Sequence, residues 1–480
     1  MYTSVMSASM QGLEAVLVQV EVDVSNGFPG FFIVGNPNSQ VREAQDRVRT
    51  ALHSRNISMP PRRITVNLSP GDIQKTGTAF DLPIAAAIME AMGHLPPGGL
   101  QGVLVAGELG LDGRIRAVRG ILPMTVMARE QGCIACIVPK ENLKEAEMVE
   151  NIPVAGACSL EEFVQIVKKR AWTKEKNHIE DNKREMSWEQ DFADIRGQVP
   201  AKRAALLPRL TRQEALEITG IYSVAGMLSR EHPLIEERPF RSPHHTISPQ
   251  ALAGGGRIPL PGEITLAHRG VLFLDELPEM SRSSLEILRQ PLEEKQIWIA
   301  RTGGRYCFPA EFLLVAAMNP CPCGYYPDRN KCCCTPGEVS RYLNRISQPL
   351  LDRLDLCAET TAPTYGEFRA LRKEEEWTTK KMKIQVSKAQ KIQKERYRKE
   401  NFQFNGEIPP EKISQYCVTD GAGEKLLQAA FTDLGISGRA CNRILRVAKT
   451  AADLAGSEII REEHVGEAIG FRSMDKQYWK

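Results

Sequence analysis

A chain of 480 residues with 42% hydrophobic and 25% charged residues has the make-up of folded globular domains, and the length predicts roughly two to four of them. A net charge of +3 excludes a global polyanion-binding signature, so any hold on nucleic acid must come from local basic patches. No run of eighteen apolar residues occurs, so no membrane-spanning helix is expected. The N-terminal stretch MYTSVMSASMQGLEAVLVQVEVDV lacks the basic, apolar and cleavage regions of a signal peptide, and a reducing cytoplasm is the expected compartment. There, twelve cysteines read as buried thiols or metal ligands and not as disulfides.

Residues 1–170 read as a mixed α/β domain. Ala15–Val24 alternates apolar and polar residues, the pattern of a half-buried strand. Further strands are expected at Phe31–Val34, Ile64–Leu68, Val103–Ala106, Ile134–Val138 and around Val154. Helices are expected at Ala79–Met92 and near Ile121–Glu130. Cys133 and Cys136 form a CxxC across a strand start, which favours buried thiols over a redox or metal site. Three segments, KTGTAFD (75–81), GELGLDG (107–113) and VPKEN (138–142), resemble the Lon-protease-like fold of the ribosomal S5 domain 2-like class. That family uses a serine activated by a lysine. The matching positions here hold Ala79 and Leu122, so the resemblance implies a structural or partner-binding module without peptidase chemistry.

Residues 171–190 are strongly charged with almost no apolar periodicity and read as an exposed linker. The next unit, 191–365, contains GVLFLDELPEM at 270–280. Four apolar residues, Val271 to Leu274, run into Asp275 and Glu276, as in a strand buried on both faces. Adjacent carboxylates at the end of such a strand are costly without a cation nearby. Nucleotide hydrolysis needs this pair: one acid for Mg²⁺, the other for the attacking water. A second apolar run, 312–317, ends at Asn319, and Arg353 follows the apolar pair Leu350–Leu351. Taken singly, these are ordinary features: an acidic turn, a turn asparagine, a surface ion pair.

In this order they resemble the AAA+ ATPase fold. The segments RPFRSPHHT, PGEITLAHRGVLFLDELPE, LRQPLEE, AAMNPCPCG and PLLDRLDL are similar to the magnesium-chelatase-like AAA+ proteins of the YifB/ComM competence type, in that family's domain order over nearly the whole chain. The resemblance implies Asp275 and Glu276 as Walker B acids, Asn319 as sensor 1 and Arg353 as the arginine finger. It also implies ATP and Mg²⁺ as cofactors, a homo-oligomeric ring (a hexamer in the family) and action on DNA, as in branch migration during transformation. No stretch matches the phosphate-loop pattern GxxxxGK[ST]. The family has a strand, that loop and a helix between Gln198 and Leu210, whereas here Lys202 has no glycine loop before it. The expected core is thus a P-loop-type AAA+ domain lacking its phosphate-loop unit and impaired in ATP binding. The alternative is a non-hydrolysing scaffold or regulatory protein that keeps protein and DNA contacts.

Cys321, Cys323, Cys332 and Cys334 form two tight pairs separated by a turn-rich loop, a pattern that suits either one Zn²⁺ or a reduced cysteine-rich loop. Residues 298–308 read as a hairpin with Arg301 and Arg305 beside its turn, placed to meet DNA phosphates or simply solvent. Residues 366–480 read as helical. Residues 368–401 are lysine-rich and exposed. A helix beginning near Ser437 resembles the family's sensor 2 helix, with Arg439 as its arginine and Arg443 as competitor.

Overall fold

The computed structural model describes residues 1–172, 208–256, 259–301, 304–360, 378–434 and 438–471. Most of the charged linker, and the junction where a phosphate loop is expected, lie outside the described residues. The chain divides into two compact units: residues 1–181, 210–274 and 290–315 form one, and residues 182–209, 275–289 and 316–480 the other.

The first unit is built on a seven-stranded sheet. Its strands are β1 (Tyr2–Gln11), β2 (Glu14–Ser25), β3 (Gly30–Val34), β4 (Arg63–Ser69), β5 (Val103–Val105), β6 (Ala135–Pro139) and β7 (Val154–Ala157). Their order is β3-β4-β2-β1-β5-β6-β7. β1 and β2 form a long antiparallel hairpin from Tyr2↔Asp23 to Gln11↔Glu14, while β5, β6 and β7 run parallel to one another. Gly12 makes the turn at φ 65°, a conformation that side chains with a Cβ resist. The alternation in β2 buries Val18, Val20, Val22 and Val24 on one face.

Against that face lies the helix α2 (Asp81–Ala91), after α1 (Ala44–Ser54) in the chain; ten of its eleven residues are buried, and only Glu90 is not. Phe80, Leu82, Ile84, Ile88 and Met89 are fully enclosed there. Each large side chain of this kind contributes about 1.5–3 kcal/mol by leaving water. Asp81 is inside the same core and is tolerated because Arg47 donates two hydrogen bonds to it, at 2.7 and 2.9 Å. The helix α3 (Ile121–Glu130) covers the other face. Its N-terminus is held by the buried Glu145 carboxylate, which accepts the Leu122 N–H at 2.9 Å and the Asn142 side chain at 2.9 Å. After α4 (Leu160–Lys169), the helix α5 (Arg212–Ala225) closes the anchor, its Ser223 hydroxyl donating to the same carboxylate. α5 starts with a Thr211–Glu214 capping box and stops at Gly226 in the left-handed region.

A second, three-stranded sheet has the order β8 (Phe240–Arg241), β9 (Val271–Leu274), β12 (Leu313–Ala316). Between β9 and β12 in the chain comes the antiparallel hairpin β10 (Gln296–Arg301) and β11 (Gly304–Pro309), with Arg301 paired to Gly304. Tyr306 of this hairpin packs on Gly12, where a Cβ would sit 3.3 Å from its ring. Gly270, just before β9, is tighter still: a Cβ there would lie 2.0 Å from the Pro239 carbonyl oxygen.

The second unit carries α6 (Pro336–Leu343) and the helices α7 (Thr379–Arg396), α8 (Gly421–Leu434), α9 (Gly438–Ala455) and α10 (Glu462–Gly470). Tyr397, Ile408, Ile444, Ala448, Ile460 and Val465 form the core of this helical C-terminal region. Buried Asp453 is matched by Arg396 at 2.6 Å and Asn405 at 2.8 Å. The protein is therefore mixed α/β with a helical C-terminal region. No helix among the described residues is long and apolar enough to cross a membrane.

Two measurements check this packing. Gly270→Ala is expected to cost about 3 kcal/mol or more in urea unfolding, because backbone must move to admit the methyl group. His268 is buried, accepts the Glu311 N–H at Nδ1 (3.1 Å), and has Glu217, Arg269 and the Glu311 carboxylate around it. Burial and the Arg269 guanidinium push its pKa down. The unfolded chain therefore binds the proton first, and stability is expected to fall as pH drops below about 6.5. His268→Gln, which keeps an acceptor but cannot titrate, should flatten that part of the stability-versus-pH curve.

Candidate active site

β9 is apolar because it runs through the middle of its sheet, and Asp275 and Glu276 follow it directly in the chain. Both carboxylates are exposed. The Glu276 N–H donates to Asp275 Oδ1 at 2.9 Å. Glu276 sits at φ 50°, ψ 45°, in the left-handed region, where a glutamate is uncommon. That conformation turns the chain sharply out of the strand into the short 3₁₀ turn Leu277–Glu279. A non-glycine residue held this way costs about 1 kcal/mol and clusters at functional positions.

β12 ends beside this turn. The Leu277 N–H donates to the Ala317 carbonyl at 3.0 Å, so the acidic pair and Asn319 leave their strands side by side. Asn319 is exposed, and Gly324 lies against it, with a Cβ there falling 3.9 Å from the asparagine's Cγ. Arg345 ties the arrangement from a third direction. Its Nη1 donates to the Pro278 carbonyl at 3.1 Å and to Glu279 Oε2 at 2.8 Å. Sequence reading did not single out Arg345, which belongs to no motif and acquires its partners only through the fold.

Beyond Asn319 the chain folds into a compact loop. Its turns are closed by Gly324 N–H to Cys321 O (3.0 Å), Asp328 N–H to Tyr325 O (2.9 Å) and Cys332 N–H to Asp328 O (2.8 Å). This brings Cys321, Cys323, Cys332 and Cys334 together, with all four Sγ atoms within 4.8 Å of one another. The Sγ of Cys321 is 3.3 Å from that of Cys323 and 3.8 Å from that of Cys332, and Cys323 and Cys332 are 3.6 Å apart. Hydrogen bonds from the Tyr325 backbone N–H and the Cys321 thiol pull the Cys323 thiol down to about 6, while burial raises that of Cys332. Four converging sulfurs of this kind can hold a metal ion. Cys333 is exposed and stands apart. By contrast Cys133 and Cys136, the CxxC of the first unit, are pushed up by burial, in keeping with inert thiols.

The remaining candidate residues are dispersed. Arg353 follows the short helix Gln348–Leu351 and donates to the Pro349 carbonyl. Arg439 is exposed at the start of α9, and Arg443, one turn on, pairs with Asp355 at 2.9 Å. Arg301 and Arg305 both sit on the exposed β10–β11 hairpin, but the register sets them on opposite faces. Arg305 stacks on the Trp298 ring at 4.2 Å, and Arg301 donates to the Gly256 carbonyl at 3.2 Å. Glu276→Gly tests the strain at the acidic turn: it is expected to raise the unfolding free energy by about 1 kcal/mol in urea titrations. A loss of stability would show instead that the glutamate side chain supports the turn.

Comparison with known proteins places these features in one family. Three family models match in chain order: subunit ChlI of Mg-chelatase over residues 20–142, magnesium chelatase, subunit ChlI over 191–368, and magnesium chelatase, subunit ChlI C-terminal over 376–472. The competence protein ComM of Haemophilus influenzae is 39% identical over 513 aligned positions, covering 98% of this chain and 97% of the relative. The Escherichia coli protein YifB is 36% identical over 499, covering 97% and 96%. Lon protease 2 of Bacillus subtilis is 26% identical over 148, which covers 30% of this chain and 26% of the protease. The alignment with ComM is longer than this chain's 480 residues, so the relative has positions without a counterpart here. The chain belongs to the magnesium-chelatase-like family of ComM and YifB proteins.

Proposed function

We propose that this chain is a ComM-type AAA+ protein that acts on DNA, with the hydrolytic half of its nucleotide site in place and its grip on ATP weakened. The observation that carries this reading is the Leu277–Ala317 hydrogen bond, which sets Asp275 and Glu276 beside Asn319. When bound, ATP with Mg²⁺ supplies a γ-phosphoryl group polarised for attack by water. Asp275 would hold the Mg²⁺, and Glu276 would orient and deprotonate the water. Asn319 would fix that water's direction, Arg353 would neutralise charge at the site of a neighbouring subunit, and Arg439 would answer nucleotide from the helical lid. The acids suit the metal because both are exposed oxygen donors on adjacent residues directly after the strand. The phosphate cradle is where the fit fails. No GxxxxGK[ST] exists in the sequence, and Leu313 and Val315 remain exposed on β12, the last strand of its sheet among the described residues.

On this reading residues 1–170 form a Lon-like domain without the protease pair, 171–190 a linker, 191–365 the AAA+ core and 366–480 the lid. The protein works in the cytoplasm as a homo-oligomeric ring, hexameric as in its family. Its substrate is DNA in recombination during natural transformation, a role supported by the competence name of its relative. Arg301 and Arg305 present the DNA contacts from the two faces of the hairpin, and the cysteine loop takes Zn²⁺. A second reading, a non-hydrolysing scaffold that keeps the protein and DNA contacts, is favoured by the absent phosphate loop and by the extra aligned positions in ComM.

Titration of the full chain with a fluorescent ATP analogue and Mg²⁺ separates the two. The motor reading expects binding near micromolar that is lost in Asp275→Ala, and a Glu276→Gln variant that binds nucleotide but no longer releases phosphate. Absence of binding up to millimolar nucleotide would leave the scaffold.

A further inference from the structure

We propose that Cys321, Cys323, Cys332 and Cys334 form a closed tetrathiolate Zn²⁺ site whose task is to hold the Asn319 segment and the turn after Glu276 in one fixed arrangement. The part about the metal stands on geometry alone. The consequence for hydrolysis rests on the nucleotide reading above.

The distances favour a single ion. Tetrahedral Zn–S bonds of about 2.3 Å place neighbouring sulfurs about 3.8 Å apart. The three close pairs lie at 3.3, 3.6 and 3.8 Å, and none of the four sulfurs is more than 4.8 Å from another. A disulfide would bring two sulfurs to about 2.0 Å and strand the other two. All four donors are cysteine sulfurs, which bind metal as soft thiolates, and no carboxylate or imidazole joins them among the described residues. That donor set selects Zn²⁺ in a structural role over Mg²⁺ or Ca²⁺, which take oxygen ligands. The loop is closed by its own backbone hydrogen bonds and needs little reorganisation to receive the ion.

The position of the loop gives the site its purpose. Cys321 is two residues past Asn319, and Gly324 packs on that asparagine. Cys334 abuts the Thr335–Glu338 capping box that opens α6. Val339, Tyr342 and Leu343 of α6 cover the cysteines. Arg345, just past the end of α6, reaches back to Pro278 and Glu279, two and three residues beyond Glu276. The ion thus fastens a closed circuit: Asn319, the cysteine loop, α6, Arg345, the Glu276 turn and, through Leu277 and Ala317, Asn319 again. Without metal, the loop has a small apolar cluster and its own short-range backbone hydrogen bonds, but no covalent or ionic tie between its two cysteine pairs among the described contacts.

The test uses the full-length protein purified without chelator, with metal read by mass spectrometry and free thiols by titration. One zinc per chain is expected, with Cys323→Ser and Cys332→Ser losing it and Cys333→Ser retaining it. Replacement by Co²⁺ should give the intense sulfur-to-cobalt charge-transfer spectrum of a tetrahedral thiolate site. Should the serine variants fail to fold, chelation of the wild-type protein serves in their place. Amide exchange on adding chelator is then expected to accelerate in the segments around Asn319 and around Leu277–Glu279, with β1–β7 unchanged. A chain that binds no zinc, or that carries disulfides at these cysteines, would overturn the site. Zinc release that leaves exchange at both segments unaltered would overturn its positioning role. These readouts need no ATP, so a failure of the nucleotide reading would appear separately, as absent nucleotide binding by a zinc-loaded chain.

Discussion

Gly270 is the point on which the small three-stranded sheet depends. The Val271 N–H donates to the Pro239 carbonyl at 2.8 Å on one side, and the Leu313 N–H donates to the Gly270 carbonyl at 2.9 Å on the other. The three strands of the small sheet are therefore joined at the Gly270–Val271 peptide, and Gly270 has no side chain to hold Pro239 away. Once the register is set there, alternation fixes the rest: Leu272 and Leu274 turn inward, and Asp275 and Glu276 emerge a fixed distance beyond.

A site positioned in this way can store strain. Glu276 is kept in the left-handed region by hydrogen bonds on both sides, its own N–H to Asp275 and the next N–H to Ala317. A looser turn would let the glutamate relax into an extended conformation and take its carboxylate elsewhere. Arg345 adds a third restraint from a different segment, and its two bonds to one turn define an orientation where a single bond would act as a pivot. The buried polar groups elsewhere follow the same logic. Asp81, Glu145 and Asp453 are each buried and each receive several donors, so charge is enclosed only where it organises the elements around it.

Much of this was legible in the sequence, and the exceptions have physical reasons. The valine alternation of β2 and the apolar run of β9 announce strands because burial matches periodicity in both. The strand β1 did not announce itself. Ser7 and Ser9 face the interior, so the inward positions of the strand do not read as apolar. The helix α1 is hidden likewise, its four buried residues Ala44, Val48, Ala51 and Leu52 diluted among charges. At the site, Asp275, Glu276 and Asn319 could be found because each ends an apolar run, and the four cysteines because their spacing is compact. Arg345 had no such mark. The opposite orientations of Arg301 and Arg305 follow from a strand register that no residue pattern specifies. The junction expected to carry the phosphate loop lies outside the described residues, so there the sequence stands alone.

The seating of Tyr306 on Gly12 has a consequence for what that turn can carry. The tip of the first hairpin of the chain and the strand bearing Arg305 meet where a Cβ on Gly12 would lie 3.3 Å from Tyr306 and 3.6 Å from Phe308. A side chain at position 12 would have to find room between both rings while its backbone stays in the left-handed region. The turn of one hairpin and the aromatic face of the other are thus fitted to each other, and a change at either is felt by both.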